Sequence, residues 1–541
     1  MKQIIAKLLA KEVKLKEEEI SSLIEIPPDD KLGDFAFPCF KLSSILKKNP
    51  NQIAQELAKK LKLSKEIEEV KATGPYLNFF VSKKILAAQV LGIKEGYGKE
   101  KGKEKILLEH TSVNPNASPH VGRARNSIIG DSIKRILEFK GHKVETHYYV
   151  NDVSKQVAML ALNFKPKDKF HDLLRKYVDI SRKIKDNPEL EEHVFQLLNK
   201  FEEKDKDTEK LFKKIVDTAV TGQRGVFSSM GINFDYFDYE SKYIELGKNI
   251  LRELKKTGKL FKDEEGRMVL SQFGTGVDKM MKSPVLVLTR NDGTGLYPLR
   301  DMAYTIDKAS YGKNIIVLGE DQKLYFEQLK QALILLKKPY PEVVHYSFVL
   351  LKDTGKMSTR SGEVVLLEEF MKEAIKKAEK AIKEKKTRGD AEKVGIGAIK
   401  YAMLRNENNK NITFDWNQAL NFEGDSGPYL QYSYARASSI LRKAKKKPRK
   451  FKIEKLDDAE IKLIKELLKF PEIVNQAYTH LSPSMVANYS FELSQIFNEF
   501  YHACQVIGSK EEAFRLALVK SFRVVLKSSL FLLGIEVMEE M

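Results

Sequence analysis

The chain has 541 residues, with 94 Lys or Arg against 75 Asp or Glu and a formal charge of +19. That length is too great for one hydrophobic core and implies about two to four domains, while the basic surplus points to a polyanionic partner such as nucleic acid, a solvated Lys-rich surface being the alternative. Cys39 and Cys504 are too far apart in sequence for a metal-binding motif and give no secreted disulfide framework, and no apolar run approaches the ~18 residues of a membrane span.

The first stretch, MKQIIAKLLAKEVKLKEEE, mixes Lys and Glu with apolar residues at helical spacing. It resembles neither a signal-peptide core nor an acid-poor transit peptide, so a cytoplasmic protein is expected. Alternating apolar and aromatic residues through 34–40 and 76–81, with helical spacing over 51–63, predict a small α+β domain over 1–95. A charged, Gly-punctuated run, 96–105, reads as a linker into the next domain.

Residues 104–152 then give one βαβ unit: a strand from Lys105 to His110, a polar Asn/Pro/Ser turn, a helix opening near Pro119 and stopping at Gly141, and a strand from Val144 to Tyr149. Ile129, Ile133, Ile136 and Leu137 form the stripe that packs on a parallel sheet. At the helix start, His120, Gly122, Arg123 and Arg125 crowd the end where free backbone N–H groups and the helix dipole attract anions, so a phosphate fits there. A highly charged helical stretch, about 155–225, reads as an insertion between sheet strands. The aromatic segment 231–243 reads as loop-like, and the parallel sheet resumes at 283–290 and 314–320. In DTGKMSTRSG a Gly turn presents Lys356, Ser358, Thr359 and Arg360 on a short loop. Such a loop can hold a triphosphate while charge moves toward a leaving pyrophosphate; an exposed basic loop is the plainer alternative. From about 390 onward the spacing is helical, giving an all-α bundle over 386–541. Its aromatics Tyr432, Tyr434, Phe497 and Tyr501 read as core first and as base-stacking surfaces second.

PHVGRAR at the helix start resembles the HIGH motif of class I aminoacyl-tRNA synthetases, and KMSTR resembles their KMSKS loop, in the same order and context. GDFAFPCFKLS, SVNPN, LYPLRDMAY, GEDQKLYFEQ and FEGDSGPYLQYSYARASSILRKA narrow the resemblance to the arginyl-tRNA synthetases, across nearly the whole chain. The resemblance implies a Rossmann-like parallel-sheet catalytic domain over 96–385, between a tRNA-contacting N-terminal domain and an anticodon-binding helical bundle. It also implies ATP-dependent activation of L-arginine, with Mg²⁺, and transfer to tRNA(Arg).

It assigns residues as well. Glu109 and Asp301 are the carboxylates matched to a guanidinium, Tyr297 covers it, and Ser112, Asn114 and Gln322 orient the amino acid's polar groups. His120, Gly122, Arg123, Lys356, Met357 and Ser358 meet ATP, with His120, Arg123 and Lys356 acting in the chemistry. Two simpler roles compete: Asp301 paired with neighbouring Arg300, and His120 as a helix cap. No protein-built zinc site is visible. Arg123 stands where the family pattern has a second histidine, and its guanidinium is expected to serve at the triphosphate. A monomer is expected. A synthetase-like protein that binds tRNA without activating an amino acid, or another class I nucleotidylyl transferase, are the competing readings.

Overall fold

The computed structural model describes residues 1–27, 29–351, 365–444 and 456–541. It divides into two compact units. The first comprises Met1–Lys94, Ala444–Leu468 and Ile496–Phe522. Here a three-stranded antiparallel sheet places Tyr76–Val81 between Phe35–Pro38 and Ile67–Thr73. The helix Pro50–Lys60 begins with Pro at its first position, and the Asn49 side chain accepts from the Asn51 N–H at 2.9 Å, satisfying a donor that the helix cannot. Further along this unit, Phe497 is buried and stacks on Phe522 with ring centres 3.7 Å apart, so it belongs to the core.

The second unit comprises Glu95–Lys443, Lys469–Gln495 and Arg523–Met541. Its framework is a five-stranded parallel sheet in the order Glu342–Tyr346, Lys313–Gly319, Lys105–Glu109, Lys143–Val150, Tyr236–Tyr239. The apolar run of Lys105–Glu109 is buried, as a central parallel strand must be. Chain order reverses on either side of that strand, which opens a crevice at its carboxyl end, the place where open α/β sheets bind ligands.

The helix Val121–Phe139 covers this strand, with Ile129, Ile133, Ile136 and Leu137 buried. It opens close to Pro119, at Val121, with the Pro119 carbonyl accepting from the Leu367 N–H (2.8 Å) and the Val121 N–H donating to the Val365 carbonyl (3.0 Å). Gly141, at φ +88°, ends it in the left-handed turn that glycine tolerates best. Four helices, Lys155–Ala161, Phe170–Asp186, Pro188–Glu202 and Lys206–Ser229, intervene before the edge strand.

Two expectations fail here. Segment 231–243 is not merely a loop: Tyr236–Tyr239 forms the edge strand. Its acids have structural partners, Asp235 accepting from Thr146 and Asp238 pairing with His147 at 2.7 Å, which masks the apolar alternation of a strand. Segment 283–290 does not rejoin the parallel sheet. Val285–Val287 instead pairs antiparallel with Met268–Ser271, which pairs with Leu260–Lys262, in a separate three-stranded sheet. A three-residue apolar run carries no information about which sheet it joins.

Candidate active site

The turn between the central strand and its covering helix is strained. Thr111 and Ser112 both take positive φ, 77° and 42°, which branched or ordinary side chains rarely adopt. Their surroundings hold them there. The Thr111 N–H donates to Asn126 Oδ1 (3.0 Å), and Ser112 Oγ accepts from the Tyr149 N–H (3.1 Å). Farther along, Gln223, fully buried on the helix Lys206–Ser229, donates from Nε2 to the carbonyls of Asn114 and Ala117, each at 2.9 Å. Strain kept in place by so many bonds is a mark of a functional turn.

Behind the turn lies a cavity of about 600 Å³, lined among others by Glu109, Ser112, Asn114, Tyr297, Asp301 and Gln322. The six residues expected to hold the amino acid therefore surround one space. The helix Tyr297–Ala309 supplies one wall, with Tyr297, Asp301, Tyr304 and Lys308 at spacings of four, three and four, a single face of a helix.

Asp301 does not pair with Arg300. It accepts from the Tyr325 hydroxyl at 2.5 Å and has no ion-pair partner among the described residues. Burial raises its carboxyl to about 6; the Tyr325 hydrogen bond opposes that rise and the nearby Glu109 adds to it. Arg300 turns instead to Glu240, donating from Nε to Oε1 at 2.5 Å and from NH1 to the Gly295 carbonyl at 2.9 Å. Glu240 is 1% exposed, and burial pushes its carboxyl up while Arg300 pulls it back. Glu109 is also engaged, in an ion pair with buried Lys308.

At the helix start, His120 is the N-cap residue, yet its side chain caps nothing. Its Nδ1 is buried without a partner among the described residues, and burial, reinforced by Arg123, lowers its pKa to about 4. The imidazole is therefore neutral at physiological pH. Gly122 is needed first for this ring: a Cβ there would come within 2.9 Å of His120 Cε1. Arg123 lines the cavity beside Asp321, and its guanidinium is held charged by the Tyr346 hydroxyl and that carboxylate. Arg125 does not join an anion site. Fully buried, it donates to the carbonyls of Ser347 (2.8 Å), Lys410 (2.5 Å) and Glu407 (2.9 Å). Lys356, Met357, Ser358, Thr359 and Arg360 lie outside the described residues.

Sequence reasoning missed Glu240, Lys308, Tyr325 and Gln223. A signal existed for Lys308, the polar stripe of its helix. Tyr325 lies within GEDQKLYFEQ, a segment that carried the resemblance without singling the tyrosine out; for Glu240 and Gln223, single residues with no local pattern, no signal existed. Elsewhere Tyr434 is buried, Tyr432 lies 4.9 Å from the Arg436 guanidinium, and Tyr501 is exposed. The one cluster of possible metal donors among the described residues, Asp457, Glu460 and Cys504, is filled by Arg515, which donates to both acids at 2.7 Å.

A parallel sheet with a reversal crevice, a histidine-bearing helix start beside it and a helical C-terminal region is the architecture of a class I aminoacyl-tRNA synthetase. Residues 85–416 match the catalytic domain of the class I (R) tRNA synthetases, 430–541 the DALR anticodon-binding domain, and 1–81 the arginyl-tRNA synthetase N-terminal domain. The arginine–tRNA ligase of Methanocaldococcus jannaschii is 38% identical over 99% of this chain and 97% of its own, and that of Clostridium acetobutylicum 34% identical over 100% of both. The Thermus thermophilus arginyl-tRNA synthetase structure superposes with a TM-score of 0.84 at 28% identity, covering 100% of this chain and 99% of that one. The chain belongs to the arginyl-tRNA synthetases.

Proposed function

We infer that the chain activates L-arginine with ATP and transfers it to tRNA(Arg), and that the cavity behind the Thr111–Ser112 turn holds the amino acid. The observation that carries this reading is Asp301, a half-buried carboxylate on the cavity wall with no ion-pair partner among the described residues. A guanidinium supplies that partner through two parallel donors. Asp301 and Glu109 bind the guanidinium end beside Glu240, with Tyr297 and Tyr325 bounding it, while Ser112, Asn114 and Gln322 orient the α-amino and carboxylate groups.

The arginine carboxylate is the nucleophile. It attacks the α-phosphorus of ATP, the bond to the bridging oxygen breaks, and pyrophosphate leaves. A terminal ribose hydroxyl of tRNA then attacks the adenylate carbonyl and AMP departs. Catalysis is by positioning and charge stabilisation. The neutral His120 donates to phosphate oxygens at the helix start, and Arg123, facing the cavity, meets the α-phosphate. We assign Lys356, Met357 and Ser358 to the β- and γ-phosphates. Mg²⁺, where bound with ATP, would supply charge neutralisation at the triphosphate, and His120 and Arg123 offer no oxygen ligand that would hold it. The basic surface and the DALR-matching helices serve tRNA, the N-terminal domain over 1–95 touching it as well. The chain acts as a monomer in the cytoplasm.

Aminoacylation of total tRNA with each amino acid in turn is the test. Arginine alone is charged. Charging of another amino acid, or tRNA binding without charging, would overturn the reading.

A further inference from the structure

Four carboxylates line the amino-acid cavity: Glu109, Glu240, Asp301 and Asp321. Three have a cation beside them. Arg300 bonds Glu240, Arg123 is drawn to Asp321, and Lys308 pairs with Glu109. The first two cations have evident further work, Arg300 bonding the Gly295 carbonyl and Arg123 standing at the helix start. Lys308 is placed differently. It is 5% exposed, does not line the cavity, and rests its ammonium 4.0 Å from the centre of the Tyr304 ring; it also helps hold Asp238 ionised, but Asp238 does not line the cavity, so among the lining carboxylates its charge acts through Glu109.

A buried lysine is costly to keep, and a hydrophobic residue of similar size would pack as well against tyrosine. The gain lies in the electrostatics. Counting Glu240 as ionised in its bond with Arg300, the lining carboxylates exceed their cations by one while Lys308 is in place. Free arginine carries a net charge of +1: two cationic ends and one carboxylate. Cavity and substrate cancel. Without Lys308 the surplus becomes two, which suits a ligand with two cationic ends and no carboxylate. In a low-dielectric cavity such a mismatch is felt far more than in water.

We propose that Lys308 is a specificity-determining residue that acts through Glu109: it fixes the cavity at one uncompensated negative charge and so selects arginine over dicationic guanidino-amines, of which agmatine, decarboxylated arginine, is the nearest. The proposal rests on the cavity being the arginine site. It names no contact between Lys308 and substrate; Lys308 is a positioning residue for charge.

The test is arginine-dependent pyrophosphate exchange by the full chain in the presence of tRNA, with agmatine as competitor. The readout is the ratio of the agmatine inhibition constant to the arginine KM. Lys308→Met lowers that ratio by about tenfold, Lys308→Arg leaves it near wild type, and Glu109→Gln alone raises it by a similar factor, since Lys308 then goes unanswered. Combining Lys308→Met with Glu109→Gln brings the ratio back toward wild type even where the rate stays low. A purely structural lysine predicts otherwise: both constants rise together, the ratio holds, and the double variant is no closer to wild type than the single one. That result overturns the proposal. If Lys308→Met does not fold, the Glu109→Gln ratio and the double variant decide. Wild-type exchange that ignores arginine sinks the assignment of the cavity itself; agmatine that competes in Lys308→Met but not in the wild type supports the proposal, and agmatine that competes in neither overturns it.

Discussion

The amino-acid cavity and the helix start beside it handle charge in opposite ways. In the cavity the acids are matched to cations before any substrate arrives, save for Asp301. At the helix start the histidine is held neutral and its buried Nδ1 has no partner among the described residues. One end is prearranged to recognise a single fixed cation. The other keeps a hydrogen-bonding group unspent for an anion that comes and goes. On the proposed reading the difference separates selectivity from turnover: the cavity would choose the amino acid, and ATP would be accepted by groups that bind any well-placed phosphate.

Variants should separate the two ends. The largest effect belongs to Asp301→Asn, which removes the uncompensated carboxylate and lowers kcat/KM for arginine by about 10²- to 10³-fold, some 3 to 4 kcal/mol, with the ATP KM little changed. Equal losses for both substrates in steady-state exchange would erase the distinction. Arg123→Ala acts mainly at the other end, raising the ATP KM or lowering the exchange rate by about 10- to 100-fold; unchanged ATP affinity and rate would remove Arg123 from the phosphate site.

The pH profile gives a third test. Asp301 must be ionised to bind the guanidinium, and its carboxyl sits at about 6. Arginine binding therefore weakens as pH falls through that value, by about tenfold between pH 7 and 5, in the free enzyme's kcat/KM profile. Neutral His120 adds no transition in this window, its pKa being about 4. The smallest effect is that of Gln223→Leu, which frees the Asn114 and Ala117 carbonyls and should cost about fivefold in kcat/KM for arginine, with the ATP KM unmoved.

Much of this was legible in the sequence. The central strand and its helix carry strong periodicity, and Glu109, Ser112, Asn114, His120 and Arg123 lie within a few residues of that junction, so finding the helix start finds them. Tyr297, Asp301 and Gln322 were reached through family motifs, and all three line the cavity. What could not be read is pairing across long separations. Glu240 sits in an aromatic segment whose own strand is only four residues long, and its importance comes from Arg300, 60 residues away. Arg125 looked like part of the phosphate-friendly cluster, and only the fold shows it turned inward onto three carbonyls. Local pattern reports elements; it does not report which buried charges meet.

The helix that bears His120 is held at its far half as well. Ser132 donates to the Leu532 carbonyl (2.7 Å) and Arg135 reaches the carbonyl of Phe531 (3.5 Å). Leu532 is made 400 residues after Ser132. On the ribosome, at about 5 to 20 residues per second, the helix would thus wait tens of seconds for these two fastenings. A nascent chain lacking residues 531–534 would carry every residue of the reaction cavity with those two bonds still unmade, a delay between making the site and completing its support.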